Sequence, residues 1–218
     1  MTGTDPLRLA ILISGRGSNM SAIARACAEG RINARVDLVL SERASAAGLD
    51  AARALGIDAR TVAWPGAAER EQFERSLDAA LAAACPDIIV LAGFMRILSQ
   101  QFVEARAGRI LNIHPSLLPR YRGLHTHRRA LEGRDRIHGA SVHFVTAELD
   151  GGPVILQSRV AVRTADTEDT LSARVQATEH IIYPRVIGWL ADGRLAWREG
   201  RPWLDGKALD APVVEDFP

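Results

Sequence analysis

The chain has 218 residues, enough for one domain or at most two small ones. Apolar residues make up 47% of it, which supports a sizeable core, and the formal net charge of +1 leaves no whole-chain basic field to attract nucleic acid. Two widely separated cysteines, Cys27 and Cys85, indicate neither a disulfide framework nor a metal site, and the longest apolar run, Ile88 to Met95, is far short of a membrane span.

The apolar run Leu9 to Ile13 is too short for a secretory signal, so a soluble cytoplasmic protein is expected. Lys207 is the only lysine. Schiff-base, pyridoxal phosphate or Walker-type chemistry would have to use it, and it sits in a tail rather than after a first strand.

In chain order, Leu7 to Ile13 reads as a buried strand that stops at Ser14-Gly15. Ser18 to Glu29 reads as a helix ended by Gly30, Val36 to Leu40 as a strand, and Ala44 to Leu55 as a helix ended by Gly56. Ile57 to Val62 is a third strand. Glu69 to Cys85 is an Ala-rich helix with Phe73, Leu77 and Leu81 on one side. Asp87 to Ala92 is a fourth, fully buried strand, and Gln100 to Ala107 a short helix. Arg109 to Ile113 is the next strand. Repeating βα units of this length imply a doubly wound, mostly parallel α/β sheet.

The second half differs. Pro115 to Leu124 reads as a loop and Thr126 to Glu132 as a short helix. Ala140 to Val145 and Val154 to Val162 flank a Gly-rich turn and predict an antiparallel hairpin. A long helix runs from Glu168 to Ala191, capped by Asp166 or Thr167, with Leu171, Val175, Ile182 and Val186 on its apolar stripe. Pro184 is expected to kink it. Residues 193–218 read as a short hairpin around Leu195 to Trp197 and Trp203-Leu204, then a fraying tail. One integrated domain over 1–218 is expected.

Several groups carry possible chemistry. Asn112 and His114 leave one face of a strand at its carboxyl end, where ligands bind in open α/β sheets. An amide can steady an oxyanion and an imidazole can move a proton near neutral pH. Ser14-Gly15-Arg16-Gly17-Ser18-Asn19 suits a terminal phosphate at a helix N-terminus, with Gly17 where the chain must come close to it. It also reads as a plain strand-to-helix turn capped by Ser18. It is a poor dinucleotide fingerprint, since Met20 stands at the third glycine position and Glu42 is the only acidic residue near the end of the second strand, somewhat late.

Asp150, in an Asp-Gly turn, is either ordinary turn chemistry or a carboxylate that pairs with His114 and favours its protonated form. Glu179 lies beside an apolar stripe and needs a cation, from Arg174, Arg185 or a substrate amine. His125-x-His127 lacks further ligands, and no metal is expected. Met95 to Leu98 either caps the core or walls a flat heterocycle.

Together these stretches resemble the folate-dependent glycinamide ribonucleotide transformylase family of purine synthesis. The resemblance covers nearly the whole chain. It is carried by Ser14 to Asn19, Leu91 to Leu98, Asn112 to Pro119, Gly123 to His127, His138 to His143 and Leu149 to Pro153. It implies a nucleotide-binding half over about 7–113 and a folate-binding, catalytic half over about 114–204.

The resemblance also implies roles. Gly17, Ser18 and Asn19 would hold the ribonucleotide phosphate, and Glu179 the glycinamide portion. Met95, Arg96, Ile97 and Leu98, with Thr146, Ala147, Glu148, Leu149 and Asp150, would form the pterin pocket. Arg70 would meet the folate's glutamate end. Asn112, His114 and Asp150 would form the catalytic triad. The donor implied is 10-formyltetrahydrofolate, without a metal, in a monomer or homodimer that binds small molecules and neither nucleic acid nor membrane. Arg120 and Arg122 stand where Lys and Pro are common, and Arg16 replaces a smaller polar residue.

Two rivals belong beside this reading. A formyltetrahydrofolate hydrolase would share Asn112, His114 and Asp150 but has no use for a phosphate turn. A non-catalytic nucleotide-binding protein would use that turn but gives no reason for the triad.

Overall fold

A computed structural model gives the architecture and describes residues 5–218; the first four residues of the domain expected over 1–218 lie outside the described residues. The elements in order are β1 Leu7–Ile13, α1 Ser18–Ala28, β2 Ala34–Ser41, α2 Ala47–Ala54, β3 Asp58–Thr61, α3 Arg70–Ala84, β4 Ile88–Leu91, α4 Gln100–Glu104 and β5 Ile110–His114. Then come α5 Thr126–Glu132, β6 Ile137–Phe144, β7 Val154–Ala161, α6 Glu168–Ala191, β8 Leu195–Arg198, β9 Arg201–Leu204, β10 Lys207–Ala208 and β11 Val213–Phe217.

Eight strands form one sheet in the order β11-β7-β6-β5-β4-β1-β2-β3. β1 pairs in parallel with both β2 and β4, and β4 with β5. β6 runs antiparallel to both β5 and β7. The strand order reverses at β1, which makes the carboxyl ends of β1 and β4 the switch point of the sheet.

Period-two alternation sorts the strand residues between two cores. Leu9, Ile11, Ile13, Val39, Val90, Leu111 and Ile113 pack with Met20 and Ile23 of α1 and with Leu171, Val175 and Ile182 of α6. Ala10, Leu12, Leu38, Leu40, Leu91 and Ile110 pack with Phe73 and Leu77 of α3 and Phe102 of α4. Helices therefore cover both faces, as the βα repeats predict. Each fully buried Ile or Leu contributes about 1.5–3 kcal/mol of apolar transfer.

α6 is capped by Thr167, whose side chain accepts from the Thr170 backbone while Thr170 returns a bond to the Thr167 N–H. That reciprocal pair is a capping box. Pro184 lies inside the helix and does not end it.

Three expectations are corrected. α4 ends at Glu104, three residues early, because the chain turns through Ala107 toward β5. β6 begins at Ile137, three residues early: Gly139 lets it press on β7, where a Cβ would sit 1.8 Å from the Ser158 carbonyl oxygen. The tail does not fray. β8, β9 and β10 form a separate three-stranded sheet, and β11 adds to the main sheet as a parallel neighbour of β7. The free edge of β7 supplies backbone partners that no local pattern in the tail announces. Arg159 grips Asp216 through two bonds of 2.9 Å, and Arg185 pairs with Glu215.

Removing residues 213–218 exposes that edge again. The truncated chain is expected to lose about 2 kcal/mol, a fall in Tm of about 4–8 °C by calorimetry. An unchanged Tm would mean that β11 is not part of the cooperative fold.

Candidate active site

At the switch point the turn after β1 meets the turn after β4, with the Ser14 N–H donating to the Gly93 carbonyl at 3.1 Å. Gly17, not Ser18, is the N-cap of α1; it holds a left-handed conformation (φ 72°) and no side chain caps the helix. The helical ladder starts with Ser21 N–H to the Gly17 carbonyl, so the N–H groups of residues 18–20 lie ahead of it. They suit an anion.

Gly17 is also closely packed. A Cβ there would meet the Gly48 Cα at 2.9 Å. Glycine is required by the packing of α2 and by the positive φ. The Asn19 side chain is buried and donates to Glu179 Oε2 at 2.7 Å, so Asn19 has only its backbone N–H to offer an anion. Of the three, Ser18 keeps a partly exposed side chain at the turn.

On the other side of the sheet, β5 delivers Asn112 and His114 with their side chains on the same face as Ile110. Asn112 stands directly opposite His143 of β6. His143 Nδ1 lies 2.9 Å from the Phe144 carbonyl, which can only accept, so Nδ1 carries the proton. Burial lowers the His143 pKa to about 4, so the ring is neutral and its Nε2 accepts from Asn112 Nδ2 at 3.1 Å. This orients the Asn112 amide and leaves its second N–H free. Sequence reading did not give His143 a role; only the strand register reveals it.

His114 Nε2 lies 2.9 Å from the Tyr121 carbonyl, and its Nδ1 faces Asp150 Oδ2 at 3.5 Å. Asp150 holds a left-handed backbone (φ 48°) in the turn after β6 and accepts the Gly123 N–H at 2.9 Å. The triad is therefore brought together. Asn112, His143 and Asp150 line a cleft, and the buried His114 ring faces Asp150.

The remaining walls of the cleft are Leu91, Phe94, Arg96 to Leu98, Val103 and the segment Val145 to Leu149. Ile97 and Leu149 are more than half exposed at its rim; Met95 is equally exposed but is not among the residues that line the cleft. Arg70 is not in this cleft. It lines a separate open basin of about 640 Å³ at the start of α3, with Arg75 and Ser99.

The loop after β5 is tied down over the triad. Ser141 Oγ donates to the Ser116 carbonyl at 2.6 Å and accepts the Leu118 N–H at 3.0 Å, while Gln157 bonds the Leu118 carbonyl. The two unusual arginines join in: Arg120 binds Asp135 at 2.8 Å and Arg122 pairs with Glu148 on the cleft wall. Arg16 is exposed. His125 is also exposed, while His127 faces His138 at 3.1 Å. Among the described residues no group of three or more His, Cys, Asp or Glu side chains is placed to hold a metal ion.

Neither arginine considered for Glu179 reaches it. Arg174 binds Asp166 and Arg185 binds Glu215. Burial pushes the Glu179 pKa up to about 7, partly opposed by the Asn19 bond. Asn19 Oδ1 beside it, and Arg70 Nε and Arg96 Nε elsewhere, are buried without a hydrogen-bond partner. A carboxylate and an amide oxygen left short of donors suit an amine.

Because the folded-state pKa of Glu179 lies above its unfolded value, the native state holds that proton more tightly. The associated stability is present at low pH and is lost as pH rises from the ordinary carboxyl range through about 7. Glu179→Gln is therefore expected to gain ~2–3 kcal/mol relative to the unsubstituted protein between pH 5 and pH 8, by denaturant titration. Parallel stability curves would show that the carboxylate is not buried in this way.

Residues 7–187 match the formyl transferase family. The chain is 55% identical to the phosphoribosylglycinamide formyltransferase of Escherichia coli over 203 residues, 93% of this chain and 96% of that protein. It is 42% identical to the Haemophilus influenzae protein of the same name, over 93% of this chain and 95% of that one. The structure is similar to that of the Coxiella burnetii phosphoribosylglycinamide formyltransferase, with a TM-score of 0.90 at 45% identity, covering 98% of this chain and 100% of the other. The chain belongs to the formyl transferase family, in its phosphoribosylglycinamide formyltransferase branch.

Proposed function

We propose that this protein transfers the formyl group of 10-formyltetrahydrofolate to the amine of 5′-phosphoribosylglycinamide, a step of de novo purine (IMP) synthesis. The observation that carries this reading is the convergence of two kinds of site on one sheet edge. A phosphate-type turn with a buried, cation-seeking Glu179 lies on the α1/α6 side, and the Asn112–Asp150 cleft lies on the α3/α4 side.

The donor fits the residues present. Arg96 to Leu98 and Thr146 to Leu149, with the exposed Met95 next to Arg96, offer a half-exposed apolar rim with backbone polar groups, as a flat heterocycle needs. The unpartnered Arg70 supplies a cation for a terminal carboxylate in the neighbouring basin. Bound there, 10-formyltetrahydrofolate supplies the formyl carbon.

Glu179 and Asn19 hold the acceptor's glycinamide end, and the N–H groups of residues 18–20 hold its phosphate. A bond forms between the amine nitrogen and the formyl carbon, and the bond from that carbon to the folate nitrogen breaks. The free N–H of Asn112 donates to the formyl oxygen as negative charge develops there. Asp150 faces the reacting atoms and receives the amine proton, directly or through a water, and it returns a proton to the departing folate nitrogen. His114 sustains Asp150, its ring fixed by the Tyr121 carbonyl. Every group comes from one chain, so a monomer or a homodimer can work. A cytoplasmic setting goes with this role. No helix among the described residues is long and apolar enough to cross a membrane.

The primary test is release of tetrahydrofolate that depends on glycinamide ribonucleotide. Release without that acceptor would favour the hydrolase, and no release would favour a binding module.

Asn112→Ala is expected to bind both substrates nearly normally and lose roughly 10²–10³ in kcat, the usual effect of removing one oxyanion donor. A variant within a few fold of the original protein would overturn that role. Asp150→Asn, which keeps the shape but cannot take a proton, is expected to lower kcat by a factor of at least ~10² with KM for both substrates nearly unchanged. A rise in KM with kcat preserved would reassign Asp150 to binding.

A further inference from the structure

We propose that Glu42 is a positioning residue for the folate wall, acting through Ser14 and Arg96. The inference rests on assigning Met95 to Leu98 to the folate donor.

Glu42 stands just past the end of β2, near where dinucleotide folds keep a carboxylate for a ribose hydroxyl. Here the carboxylate turns inward, and its side chain is 0% exposed. A buried charge persists only with partners. Ser14 Oγ donates to Glu42 Oε2 at 2.8 Å. A hydroxyl has one hydrogen, so the Ser14 oxygen is then committed as an acceptor on its other side. There it receives the Met95 N–H at 2.7 Å. The relay runs from a buried carboxylate through one hydroxyl to the Met95 backbone, next to the cleft-lining Arg96.

The second arm is an ion pair without a hydrogen bond: Glu42 Oε1 lies 3.4 Å from Nε of both Arg43 and Arg96. The Arg96 guanidinium also lies over the Trp64 ring, 5.0 Å from its centroid. Arg96 is thus held from behind while it lines the cleft.

These polar links matter because little else holds the front of the wall. Met95 is 57% and Ile97 58% exposed, so apolar packing does not set their place. The back end is anchored differently, by buried Leu98 and by the Ser99 N–H bonded to Glu74 at 2.6 Å. The phosphate-type turn has its own support: the Gly48 N–H donates to the Gly15 carbonyl at 3.0 Å. Losing the Glu42–Ser14 relay should therefore loosen the folate wall and spare the ribonucleotide turn.

The test is steady-state kinetics with both substrates, plus tetrahydrofolate binding by calorimetry, for Glu42→Gln, Ser14→Ala and the double variant. Each single variant is expected to raise KM for 10-formyltetrahydrofolate and Kd for tetrahydrofolate about tenfold, the order of effect of one charge-assisted hydrogen bond. kcat and KM for the ribonucleotide should stay within about threefold. The double variant should be little worse than the worse single one, because the two residues form one relay. Folate KM within twofold of the unsubstituted protein would overturn the proposal, even with a lowered Tm, and so would an equal rise in both KM values. Failure of the unsubstituted protein to bind tetrahydrofolate would instead overturn the functional reading, and this inference with it.

Discussion

β6 runs antiparallel to β5, and that one pairing assembles most of the site. It sets His143 directly opposite Asn112, brings the Asp150 turn beside His114, and places Ser141 where it can hold the chain that follows β5. The register is specific because both strands are buried, and a slip of one residue would turn every side chain to the wrong face. The antiparallel hairpin that follows the parallel run is thus the source of the geometry at the proposed active site.

A division of labour follows from the sheet being covered on both faces. One core, with α1 and α6, carries the groups that suit a phosphate and an amine. The other, with α3 and α4, carries the cleft. The two approach each other at the carboxyl ends of β1, β4 and β5. A formyl group passing between two bound molecules needs such a crossing point, and the switch in strand order creates it.

The site also holds groups in states they would not choose in water. Glu179 is a carboxyl group buried short of a cation, His143 is a ring kept neutral by burial, and Asp150 has a left-handed backbone. Each is disfavoured locally and kept in place by the surrounding packing. Perturbed groups of this kind gather where chemistry is done.

Much was legible in the sequence because it is local. Period-two and 3.6-residue apolar patterns marked the strands and helices to within a few residues, and the spacing of Asn112 and His114 put both side chains on one face at a strand end. The tertiary structure decided what depends on distant neighbours. It packed Gly17 against Gly48, joined the Asn19 amide to Glu179, turned His114 toward Asp150, and gave the tail a strand edge to join. Those outcomes turn on contacts between residues far apart in the chain. Spacing within a segment carries no information about which distant segment lies against it.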